Sequence, residues 1–159
     1  MAHLIERRYL KCPKSRAQGY LADALQDVAD SNKQLPLRLQ VNINDVNIEK
    51  EVLVQFSKGS DPMHFDQPWT MHWTPAGGGP YPDFDGTLTV RADEDDPTCA
   101  LELEGDYLPP LGEAGKVFDA VVGHRIAANT AQALLATIGD GMEERYSAEE
   151  AVKVRTTSS

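Results

Sequence analysis

Between Cys99 and Met142 an alternating strand, a proline–glycine corner and a long alanine-rich helix follow one another directly. The corner is Gly105-Asp-Tyr-Leu-Pro-Pro-Leu-Gly112. Consecutive prolines end the strand because neither can donate to a ladder, and both forbid helix at that point. The helix that follows must bury its apolar stripe, and the strands before it are the surface at hand. One helix laid across a curved sheet need not fill the space beneath it. The pattern therefore predicts an α+β domain with a cavity, and function turns on what occupies that cavity.

The rest of the chain supplies the sheet. His3 to Lys11 reads as an irregular first strand ended by Pro13. Ser15 and Gln18 form a capping-box pattern for a helix running to about Asp30, with Ala17, Tyr20, Leu21, Ala24 and Val28 on its apolar face. The period then changes to two. Leu37, Leu39, Val41 and Ile43 alternate with polar residues, the segment 44–47 is turn-like, and the return strand from Ile48 to Ser57 carries Val52, Val54 and Phe56 on one face. Trp69, Met71 and Trp73 alternate in the next strand. Phe84 to Ala92 and Thr98 to Tyr107 make a hairpin around an acidic tip. Residues 1–146 read as a single domain and 147–159 as a polar tail.

Composition bounds the function. A chain of 159 residues with 41% hydrophobic and 25% charged residues is an ordinary globular domain, long enough to bury roughly 68–70% of its unfolded surface without a staple. A net charge of −10 argues against nucleic acid as a partner. No apolar run approaches the ~20 residues of a membrane span, and the basic N-terminal stretch lacks the apolar segment of a signal peptide, so the chain reads as cytoplasmic. The two cysteines, Cys12 and Cys99, have no metal-type spacing and read as buried thiols.

On the last helix Ala120, Ala127, Ala128, Ala131, Leu134, Leu135, Ile138 and Met142 share one face at about 100° per residue. His124 falls within that arc. Phe118, Val122 and Ile126 fall outside it and could form a homodimer contact. Tyr107 shares a strand face with Cys99, Leu101 and Leu103 and should point inward, toward His124. A Tyr–His pair in an apolar pocket can orient a ligand carbonyl or act as acid and base. The plainer reading is a buried imidazole hydrogen-bonded to Tyr107 or to backbone. Trp69, Met71 and Trp73 are either core or a ligand-stacking wall. His64, Asp66 and His72 are metal-ligand types without a recognised spacing, so no metal and no cofactor is expected.

Five segments resemble the SRPBCC helix-grip superfamily, which includes START lipid-transfer domains and the polyketide cyclase/dehydrase group. They are Trp73-Thr-Pro, Tyr81-Pro-Asp-Phe-Asp-Gly-Thr-Leu, Leu103-Glu-Gly-Asp-Tyr-Leu-Pro-Pro-Leu-Gly, Gly115 with Asp119, and Gly123-His-Arg-Ile-Ala. The resemblance covers about the C-terminal half and is to small bacterial members of the cyclase-like group. It implies a curved antiparallel sheet of about six to seven strands around a long C-terminal helix, with a short helix after strand 1. It does not specify a reaction, because one scaffold hosts many chemistries. The expected function is binding of a hydrophobic or aromatic small molecule, such as a lipid- or polyketide-like compound, between sheet and helix. The expected lining residues are Trp69, Met71, Trp73, Leu101, Leu103, Tyr107, His124, Ala128, Ala131, Leu135 and Ile138. The alternative is a cyclase- or dehydrase-like enzyme with His124 and Tyr107 as acid and base.

Overall fold

The computed structural model describes residues 2–31, 34–43, 45–58, 68–77, 81–92, 98–108 and 120–157. In chain order the elements are β1 (Ala2–Leu10), α1 (Lys14–Asp30), β2 (Leu35–Ile43), β3 (Val46–Lys58), β4 (Trp69–Pro75), β5 (Asp83–Ala92), β6 (Cys99–Leu108) and α2 (Ala120–Thr157). The six strands form one antiparallel sheet in the order β1-β6-β5-β4-β3-β2. This is the α+β layout read from the pattern: a curled sheet, a short helix after strand 1 and a long C-terminal helix. Both edge strands, β1 and β2, touch α2. The central strands β3, β4 and β5 scarcely approach α2, so the sheet bows away in the middle and its edges curl in around the helix.

Period two makes the inner face. Val52, Val54 and Phe56 of β3, Trp69, Met71 and Trp73 of β4, and Leu101, Leu103 and Tyr107 of β6 are all buried. The β2–β3 hairpin pairs Ile43 with Val46, leaving a two-residue loop whose second residue, Asp45, has φ 65°. Aspartate tolerates that left-handed conformation, which a tight hairpin requires. The irregularity of the first strand comes from its contacts with α2. Its inward positions include Glu6 and Arg8, which reach α2: Gln132 donates to Glu6 at 3.1 Å, and Arg8 donates to the Ala136 carbonyl at 3.0 Å and to Asp140.

The β5 and β6 backbones approach closely where Gly86 pairs with Gly105. A Cβ on Gly86 would meet the Glu104 carbonyl oxygen and lie 2.6 Å from Phe84 Cζ. A Cβ on Gly105 would meet the Asp85 carbonyl oxygen and lie 2.5 Å from the Gly86 Cα. The Phe84 ring covers this glycine pair and stacks on Trp73 with ring centroids 4.4 Å apart. Aromatic cover over strand glycines restores the contact that missing side chains would have made.

Two expectations change. The helix does not end near Tyr146: α2 continues to Thr157, so residues 147–157 are helix rather than tail. The stretch is polar but rich in good helix formers, and contacts described below fix it to α1. Ile126 is 5% exposed, covered by its own chain and unavailable as a dimer contact. Phe118 and the side chain of Val122 lie outside the described residues, as do His64 and Asp66. Among the described residues, no helix is long and apolar enough to cross a membrane. Cys12 and Cys99 are buried as thiols; they hydrogen-bond to each other, and burial raises the Cys12 pKa.

Candidate functional site

An open cleft of about 410 Å³ lies between α1, the β2–β3 edge of the sheet and the second half of α2. Leu35 and Leu37 of β2 and Phe56 of β3 face it from the sheet. Tyr20, Asp23, Ala24 and Leu25 line it from α1, and Thr137, Ile138, Gly141, Met142 and Arg145 from α2. Leu25, Phe56 and Met142 are buried and form its floor. The helical spacing of Thr137, Ile138, Gly141, Met142 and Arg145 explains why they line one wall, since positions three and four apart share a helix face.

Polar groups gather where α1 meets α2. The Tyr20 hydroxyl donates to Glu149 Oε2 at 2.6 Å and accepts from Arg16 at 3.0 Å, and Arg16 also pairs with Glu149. Arg145 pairs with Asp23 at 2.9 Å and Glu149 at 3.5 Å, and its guanidinium stacks 4.7 Å from the Tyr20 ring centroid. This clasp ties residues 145–150 of the helix to α1 and sets the width of the cleft. The Tyr20 hydrogen bond, followed by that from Arg16, holds the Glu149 carboxyl below its ordinary pKa, while burial raises that of Tyr20. A depressed carboxylate adds stability that is complete above its unfolded value, about 4.3, and is lost as pH falls through the lower folded value. Melting temperature measured from roughly pH 5 to 3 should therefore fall more steeply for the native chain than for Glu149→Gln. Parallel acid limbs would show that the clasp contributes nothing to stability.

Of the residues expected to line a pocket, Ile138 borders this cleft. Trp69, Met71, Trp73, Leu101, Leu103, Ala131 and Leu135 are 0–3% exposed. They are buried and do not border this cleft. Ala128 is half-buried. Tyr107 and His124 do meet, sharing a hydrogen bond of 3.2 Å between the hydroxyl and Nδ1. Tyr107 is buried and desolvation raises its pKa, but His124 is exposed rather than inside an apolar pocket. His124 precedes the cleft residue Thr137 by about 20 Å of helix, at 1.5 Å per residue. The dyad and the cleft are separate places.

No protein-family model matches the chain, and no curated protein matches it. Among solved structures it is similar to the protein TTHA0849 of Thermus thermophilus, at 12% identity and a TM-score of 0.41. That match covers 93% of this chain and 99% of the other.

Sequence reasoning misses most of the cleft. Periodicity places Leu37 and Phe56 on apolar strand faces, Tyr20 and Ala24 on the apolar face of the first helix, and Met142 on that of the last. It does not show that these faces converge without closing. Ala24, which is exposed, is the available signal: a small residue on the apolar stripe of a helix leaves room beside it.

His72 points away from the inner face and donates from Nδ1 to Asp85 at 2.5 Å. Tyr81, which has no role in the sequence reading beyond the resemblance, binds α2 directly. Its hydroxyl meets the fully buried Thr130, whose own hydroxyl donates to the Ile126 carbonyl at 2.7 Å.

Proposed function

We propose that the chain binds an apolar small molecule in the cleft between α1, the β2–β3 edge and α2. The observation that carries this is the composition of the cleft: a floor of Leu25, Phe56 and Met142, half-buried walls of Leu35, Leu37 and Ile138, and polar groups confined mainly to one rim. Its volume of about 410 Å³ falls within the range of small-molecule sites, roughly 300–1,000 Å³. Binding would be driven by removing the ligand's apolar surface from water, worth about 25 cal/mol per Å² before the cost of association. The curl of the sheet around α2, together with the sequence resemblance, supports placement in the SRPBCC helix-grip superfamily.

Titration with the neutral fluorophore 1-N-phenylnaphthylamine tests the reading. The expected result is a saturable rise in emission with one site per chain. An unsaturable or absent rise at high protein concentration would remove the proposal. The cyclase/dehydrase alternative is less favoured, because it needs an acid and a base against the ligand. Tyr107 and His124 do not border this cleft, and the clasp already occupies Tyr20 and Arg145.

A further inference from the structure

Resting on that reading of the cleft, we propose that its ligand is an uncharged amphiphile. Its apolar body would lie against the β2–β3 wall and a hydroxyl-type head at the α1–α2 rim, and the rim would select against a carboxylate of the same length. The placement of polar groups gives the orientation. Asp23 and Arg145 stand at the rim, while Leu25, Leu35, Leu37 and Phe56 offer the ligand no polar side chain. A ligand with one polar end fits, and it fits in one direction.

The charge at the rim identifies the head. Arg145 is held by Asp23 and Glu149, and Arg16 by Glu149 with Glu150 at 3.8 Å. Lys153 meets Glu150 at 3.3 Å, so three carboxylates face three cations, and each of these cations already has a carboxylate partner. An incoming carboxylate must either displace Asp23 from Arg145 or lie beside the Asp23 carboxylate without a cation of its own, and such juxtapositions suppress binding. A hydroxyl needs neither. An ionised carboxylate offers about four lone-pair sites, and the Arg145 contact with Asp23 is made through Oδ2. A ligand hydroxyl can donate to Asp23 while the ion pair persists. The Thr137 hydroxyl donates to the Ala133 carbonyl and so meets a ligand as an acceptor. Both groups favour a head that donates.

The test is displacement of bound 1-N-phenylnaphthylamine by 1-decanol and by decanoate at neutral pH, on the full chain and on Asp23→Asn. 1-Decanol should compete about tenfold more tightly than decanoate at low salt. The gap should narrow in Asp23→Asn, and also at about 0.5 M salt, where screening acts over about 4 Å. Equal or tighter binding of decanoate would overturn the head-group inference and leave the cleft reading in place. A gap that neither the substitution nor salt changes would reflect the greater hydrophobicity of the alcohol, and would also overturn it. If the probe binds but neither compound displaces it, the cleft is not the probe's site, and both readings fall.

Discussion

Gly105→Ala is expected to destabilise the fold by about 3 kcal/mol, lowering the melting temperature by roughly 6–12 °C. The new methyl would point at the Asp85 carbonyl oxygen and at Gly86 Cα across the β5–β6 pair. Those are backbone atoms, which cannot rotate aside as a side-chain tip can. Relief requires the two strands to separate, and they are central strands with partners on both sides. Separation would also lift the Phe84 ring from the glycine pair and disturb its stack on Trp73. Thermal unfolding of Gly105→Ala beside Gly19→Ala gives the comparison. Gly19 lies in α1 with nothing within 4 Å of a Cβ, so alanine there should stabilise by up to about 1 kcal/mol. If both variants melt like the native chain, the β5–β6 approach is not tight.

Gly141→Leu should weaken ligand binding strongly without loss of stability. Gly141 lines the cleft, and a Cβ built there finds nothing within 4 Å. Helical side chains lean over the preceding turn, which here carries Thr137 and Ile138, two other residues of the same wall. The leucine would therefore occupy the space assigned to the ligand. Replacing an exposed helical glycine also raises stability by about 0.5–1 kcal/mol. Probe affinity should fall roughly tenfold or more while the melting temperature holds or rises. That combination separates a filled site from a damaged fold. Unchanged affinity would place the probe elsewhere on the molecule.

Periodicity makes the sheet legible because each strand has one face in water and one in the core. Val52, Val54 and Phe56, and likewise Leu101, Leu103 and Tyr107, declare themselves by alternation alone. The same logic places Tyr107 and His124 on facing surfaces, where they form a hydrogen bond. It fails after Tyr146 because residues 147–157 have no apolar stripe. Their helix depends on local propensity and on the link from Glu149 to Arg16 and Tyr20, residues some 130 positions away. The cleft is hidden for a related reason. An apolar face shows that a residue turns from water, but not whether its neighbour reaches it. Trp73 and Ile138 look alike in sequence; one is sealed under Phe84, and the other borders a gap between three elements.

The strand order also has a temporal side. β1 pairs with β6, so Ala2 lies opposite Tyr107 and Leu10 opposite Cys99. During synthesis at about 5–20 residues per second, the first strand emerges roughly 5–20 s before its partner exists. Until then Leu4 and Leu10 have neither β6 nor α2 to cover them. The first strand therefore stays an unpaired, partly apolar segment of the nascent chain until β6 has been made.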